Sequence, residues 1–81
     1  MTQKTVRVGG GLEARNAALF VQAAGKYKSS VKLQVENKTI SAKSIMGVIS
    51  LEIAEGGDIV IIADGPDERE ALAMLGRILE A

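Results

Sequence analysis

Two stretches of this chain hold residue types that handle phosphate. In the first, VRVGGGLEARNAALF, a β-branched run meets Gly9, Gly10 and Gly11, and Glu13 and Arg15 stand where a helical pattern opens. A strand that enters a helix through glycines gathers backbone N–H groups and the positive helix end at one point, which suits an anion. The stretch lacks the Lys-Ser/Thr of a phosphate-binding P-loop and the later spaced glycines of a dinucleotide fingerprint. The glycines also read plainly as a tight connection, with Glu13 favouring the helix dipole. The second stretch is AKSIMGVISL, in which Ser44 precedes an apolar run. A serine there is an N-cap first of all. The same position suits phosphorylation, because a phosphate adds about two negative charges and three acceptors, with Lys43 as the adjacent cation. Around these residues, Ala18 and Leu19 fall off the buried side of the first helix. The apolar residues of the second helix wrap most of its circumference, so it cannot bury all of Ile45, Met46 and Ile49 in one direction. Those side chains read as a docking patch beside Ser44, or as core if the helix limits shift by a residue or two.

What the chain lacks narrows the chemistry. It has no histidine and no cysteine, which removes the usual general base, the usual nitrogen metal ligand and every thiolate. No metal site and no cofactor are expected. Ten basic and ten acidic side chains cancel, and with one Phe, one Tyr and no Trp a direct nucleic-acid partner is not expected. No apolar run approaches the length of a membrane span, and MTQKTVRV does not read as a secretory signal. The cytoplasm is therefore the expected location. With 81 residues the expectation is one domain over 1–81, with one core and no deep substrate cavity.

The elements that must position these residues follow from periodicity. Gln3 to Val8 alternates as a half-buried strand. From about Asn16 to Tyr27, Ala17, Phe20, Val21, Ala24 and Tyr27 share one side of a helix, which runs out at Gly25-Lys26 and the polar KYKSS. SVKLQVE alternates Val31, Leu33 and Val35 with polar residues and, through Asn37-Lys38, turns into TIS as a hairpin. SIMGVISLEI reads as a short helix capped by Ser44 and stopped at EGGD. DIVIIA reads as a central strand buried on both sides or nearly so. DGPDE reads as a turn and N-cap, after which Ala71, Leu72, Leu75, Ile78 and Leu79 form the stripe of a last helix. The order β-α-β-β-α-β-α in so short a chain predicts an α+β two-layer sandwich, one sheet with helices on a single face.

In this order the motifs resemble the histidine-containing phosphocarrier protein HPr of the bacterial sugar phosphotransferase system. GLEARNA is similar to its active-site loop, normally Gly-x-His-Ala-Arg-Pro-Ala; KSIMGVISL is similar to its regulatory-serine segment; DIVIIADGPDEREAL is similar to its last strand and helix opening. The resemblance implies an open-faced sandwich in which three helices cover one face of a four-stranded antiparallel sheet. It also places Glu13 at the position of the phosphohistidine and Asn16 at that of a proline. A phosphohistidine carrier needs an imidazole nitrogen, so phosphotransfer through a histidine is not expected here, and the chain is not expected to be an enzyme.

Ser44 matches the serine that an ATP-dependent HPr kinase/phosphorylase modifies in part of the family. A related branch, catabolite repression HPr or Crh, has lost the histidine and kept this serine. It usually carries glutamine where this chain has Glu13. By resemblance to that branch, phospho-Ser44 would dock on a catabolite control transcription regulator. Arg15, Ala18, Val21, Ile45, Met46 and Ile49 would form the contact, and Arg15 and Lys43 would lie next to the phosphate. Two other expectations stand beside this one. Glu13 could accept phosphate from phosphotransferase enzyme I as an acyl phosphate, or its carboxylate could pair with Arg15 and imitate a phosphorylated histidine. The chain could also form a homodimer by exchanging the strand Gln3–Val8, with the glycines as hinge.

Overall fold

The computed structural model describes residues 1–9, 14–51 and 56–80, the side chains of residues 14–16 excepted. Strands β1 (Thr2–Arg7), β2 (Ser30–Val35), β3 (Lys38–Ser41) and β4 (Asp58–Asp64) and helices α1 (Ala14–Gly25), α2 (Ile45–Ser50) and α3 (Glu68–Glu80) follow in the order β-α-β-β-α-β-α. The strands form one sheet in the order β1-β4-β2-β3, every neighbouring pair antiparallel. The helices lie on one face of it. This is the α+β open-faced sandwich that the sequence predicts.

Alternation decides which side of each strand faces the helices. Val6 and Val8 near β1, Val31 and Leu33 on β2, and Ile59, Ile61 and Ala63 on β4 are buried on that side. They meet Ala17, Phe20 and Ala24 of α1, Val48 of α2, and Ala71, Leu72, Leu75 and Leu79 of α3. Val21, Tyr27 and Ile78 pack on the edge of this core and stay half-buried. The opposite face of the sheet is open, so Val60 and Ile62 on β4 are half-buried rather than fully covered. The continuous apolar run DIVIIA had suggested cover on both sides. Its central place between β1 and β2 stands, but only one face of it carries helices.

α1 ends at Gly25, where the Gly25-Lys26 stop predicts, and Tyr27 continues the apolar stripe because it packs on the core from the turn beyond. One boundary differs from the reading of the sequence. The hairpin turns at Glu36-Asn37 instead of Asn37-Lys38, because Leu33 must face Ile40 and Val35 must face Lys38. That register puts Glu36 in the left-handed region at φ 55°, where an unbranched polar residue is tolerated and glycine or asparagine is easier. α2 closes at a Leu51 cap; Ile53 and EGGD up to Glu55 lie outside the described residues.

Candidate site: the Ser44 segment and the exposed face of the first two helices

Ser44 precedes α2 in extended backbone, at φ −105° and ψ 112°. Its Oγ accepts the Gly47 N–H at 3.2 Å and its carbonyl accepts the Val48 N–H at 2.9 Å. The serine is therefore the N-cap that its position in the sequence predicts. The residues before it are held from both sides. Ala42 is buried and donates its N–H to the Val31 carbonyl at 2.9 Å, while Ser41 accepts the Lys43 N–H on its Oγ and the Ser44 N–H on its carbonyl. The hydroxyl thus sits exposed on a fixed stretch of backbone. Gly47 is fitted to it: a Cβ there would stand 3.3 Å from both Ser44 Oγ and Ile40 Cβ, tight enough to push on the hydroxyl or on β3.

α2 divides its apolar residues by direction. Val48 and the cap Leu51 enter the core, at 1% and 6% exposure. Ile45, Met46 and Ile49 point outward, with Met46 at 74%. On α1, which packs against α2, Phe20 turns inward while Ala18 and Leu19 are exposed, Leu19 at 59%. The surplus apolar side chains are surface, and the alternative that they are core does not hold. Of the other residues that the sequence singles out, Glu13 and the side chains of Arg15 and Asn16 lie outside the described residues.

Three contacts of this half of the molecule were not legible in the sequence. Lys43 Nζ donates to the Tyr27 carbonyl at 2.8 Å, across a separation of sixteen residues. Gly9, the first of the three glycines, donates its N–H to the Leu79 carbonyl at the end of α3 at 2.9 Å, and Val8 exchanges N–H and carbonyl bonds with Gly57 and Gly56. The departure from β1 toward residue 10 is thereby pinned to α3 and to the approach of β4. The third contact is a latch. Asp67 precedes α3, and its carbonyl accepts the Ala71 N–H, but its carboxylate reaches across to the backbone N–H groups of Lys28 and Ser29, each at 2.9 Å, and to the Ser29 hydroxyl. The hydroxyl in turn accepts the Asp67 N–H at 3.2 Å. These bonds, the Ser29 hydroxyl foremost, lower the Asp67 carboxyl to about 2. Ser29 is the buried polar residue of this contact, and Gly65 must be glycine beside it: its φ is 153° and a Cβ would come within 2.6 Å of Ser29. Next to Asp67, the Thr2 hydroxyl and the Gly65 N–H donate to Glu68, and this lowers its carboxyl as well.

Among the described residues no group of three acidic side chains is placed to hold a metal ion, and no helix is long and apolar enough to cross a membrane. The family described as "PTS HPr component phosphorylation site" matches residues 2–81. The chain belongs to the HPr family. The HPr-like protein Crh of Bacillus subtilis (strain 168) is 47% identical over 75 residues, spanning 93% of this chain and 88% of the relative. Among solved structures, the phosphocarrier protein HPr of Bacillus anthracis str. Ames superposes with a TM-score of 0.93 at 44% identity, covering 96% of this chain and 95% of that one. The crystal structure of seleno-methionyl Crh from Bacillus subtilis, described as a domain-swapped intertwined dimer, gives a TM-score of 0.81 at 47% identity and covers 93% of this chain and 86% of that one. This HPr homologue is Crh-like and has no histidine through which a phosphohistidine could form.

Proposed function

We propose that this Crh-like protein serves carbon catabolite control by receiving a phosphate on Ser44 and then docking on a catabolite control transcription regulator. The observation that carries the reading is the pairing, in a chain without histidine, of an exposed capping serine with outward-pointing Met46, Ile45 and Ile49. A phosphate on Ser44 would add about two negative charges beside an apolar surface, so one modification would change both the charge and the fit of the face. Ala18 and Leu19 extend that face onto α1, and the half-buried Val21 would contribute only its outer edge. Arg15 would supply a cation to the contact. The kinase that would modify Ser44 is an HPr kinase/phosphorylase, and the setting for all of this is the cytoplasm.

The test is intact-mass measurement after incubation with that kinase and ATP, followed by peptide mapping. The expected result is one added phosphate, on Ser44, and none on Ser44→Ala. Absence of the phosphate from the unaltered protein, or its persistence in Ser44→Ala, removes the reading.

A further inference from the structure

We propose that Lys43 is a positioning residue for this face, a tie between the start of α2 and the end of α1, and not a cation for the phosphate; the proposal rests on the reading of Ser44 as the modified residue. Lys43 Nζ donates to the Tyr27 carbonyl at 2.8 Å. That carbonyl is a fixed point, because Tyr27 packs on the core and its N–H closes onto the Ala24 carbonyl at 3.3 Å. α1 has no basic residue in its last turn, and its final carbonyls carry the negative end of the helix dipole. Lys43 reaches the turn two residues beyond that end from another part of the chain, and adds its ammonium to Lys26 and Lys28 of the turn itself.

The hydrogen bonds argue the same way, because the two neighbouring side chains are engaged by separate partners. The hydroxyl turns toward the Gly47 N–H, and the ammonium turns toward Tyr27. Both ends of the tie matter to docking. One is the residue before Ser44, and the other follows the helix that carries Leu19. A fixed spacing between them keeps the outward side chains of α1 and α2 in one arrangement before any partner arrives, which lowers the ordering cost of association.

Lys43→Met and Lys43→Arg separate this role from a phosphate-binding one. In the unmodified protein the carbonyl carbon resonance of Tyr27 should move in Lys43→Met and return toward its original position in Lys43→Arg. This readout needs no phosphate, so it answers even if the kinase leaves Ser44 bare and the functional reading fails. With the kinase as probe, Lys43→Met should raise KM about threefold at unchanged kcat, and Lys43→Arg should recover most of it. In the phosphorylated protein, phosphorus resonance against pH should give the same second ionisation, near pH 6, with and without the Lys43 ammonium. An unmoved Tyr27 carbonyl or an unchanged KM overturns the proposal. So does a fall in kcat alone, or a rise of half a pH unit or more in the phosphate ionisation of Lys43→Met, since either would put the ammonium at the phosphate.

Discussion

Asp67 shows how a single side chain can serve an element other than its own. It stands where α3 begins, in DGPDE, and sequence alone assigns it to capping that helix. The folded protein uses its carbonyl for the helix and its carboxylate for Lys28 and Ser29, so one residue fastens the end of the α1–β2 connection to the start of α3. The consequence is a pH dependence of defined sign. The carboxyl is held at about 2, below the ordinary 3.8, by the Ser29 hydroxyl first and the Lys28 N–H next. A group depressed on folding contributes stability that is complete above its unfolded pKa and is lost as pH falls through the folded one. The urea midpoint should therefore decline from about pH 4 down to about pH 2. Glu68, lowered in the same direction by the Thr2 hydroxyl, adds to that decline. Asp67→Asn should give a shallower decline over that window. Urea titrations from pH 6 to pH 2.5 on both proteins decide it, and identical slopes would show that Asp67 is not the titrating latch.

Helices and strands put the same residues under different demands, and glycine is the sharpest case. Gly76 lies inside α3 and is buried, yet a Cβ there would meet Val6 Cγ1 at 3.6 Å and Lys4 Nζ at 3.7 Å, which is ordinary contact. Glycine in a helix interior costs about 0.5–1 kcal/mol relative to alanine. Gly76→Ala should therefore stabilise the protein by that amount, and in a domain of this size thermal unfolding should shift upward by about 4 °C. A calorimetric scan showing no shift, or a downward one, would mean that α3 sits closer to β1 than its contacts indicate. At Gly47 the same methyl would press on Ser44 and Ile40, so the two glycines cannot be told apart by sequence. That contrast marks where reading from sequence stops. The element order, the sheet with one covered face, the stripes of α1 and α3 and the Ser44 cap were all legible, because period and capping are local signals. The turn at Glu36-Asn37 was missed by one residue, since the register of Leu33 on Ile40 is set across strands. The ties from Lys43 to Tyr27, from Gly9 to Leu79 and from Asp67 to Ser29 were missed for the same reason: each joins residues that only the packed fold makes neighbours.

The sheet leaves β1 as an edge strand, and this bears on whether the protein works as one chain or two. Among the described residues β1 pairs only with β4, through six residue pairs from Thr2↔Ala63 to Arg7↔Asp58. Of its six residues only Val6 is buried, and Val8 just beyond leaves with it when the chain turns at 9–11, so exchange moves two core side chains and breaks the hydrogen bonds of the ladder. A second copy could restore every one of those bonds by placing its own β1 on the same β4, which is the low-cost route to a swapped dimer. The glycines at 9–11 supply a sequence that tolerates the change of direction. The Bacillus subtilis Crh structure is itself described as a swapped dimer. Because six pairs must open before they re-form, exchange should be slow compared with dilution. Light scattering behind a sizing column should show species of one and two chain masses, the dimer favoured by incubation at high concentration and persisting after dilution. Locking β1 to β4 with a disulfide at a facing pair, Thr5→Cys with Val60→Cys, formed in the monomer, should abolish the dimer. A dimer that survives the lock would have to form through another surface, and a chain that stays monomeric after concentrated incubation and after refolding would exclude the exchange.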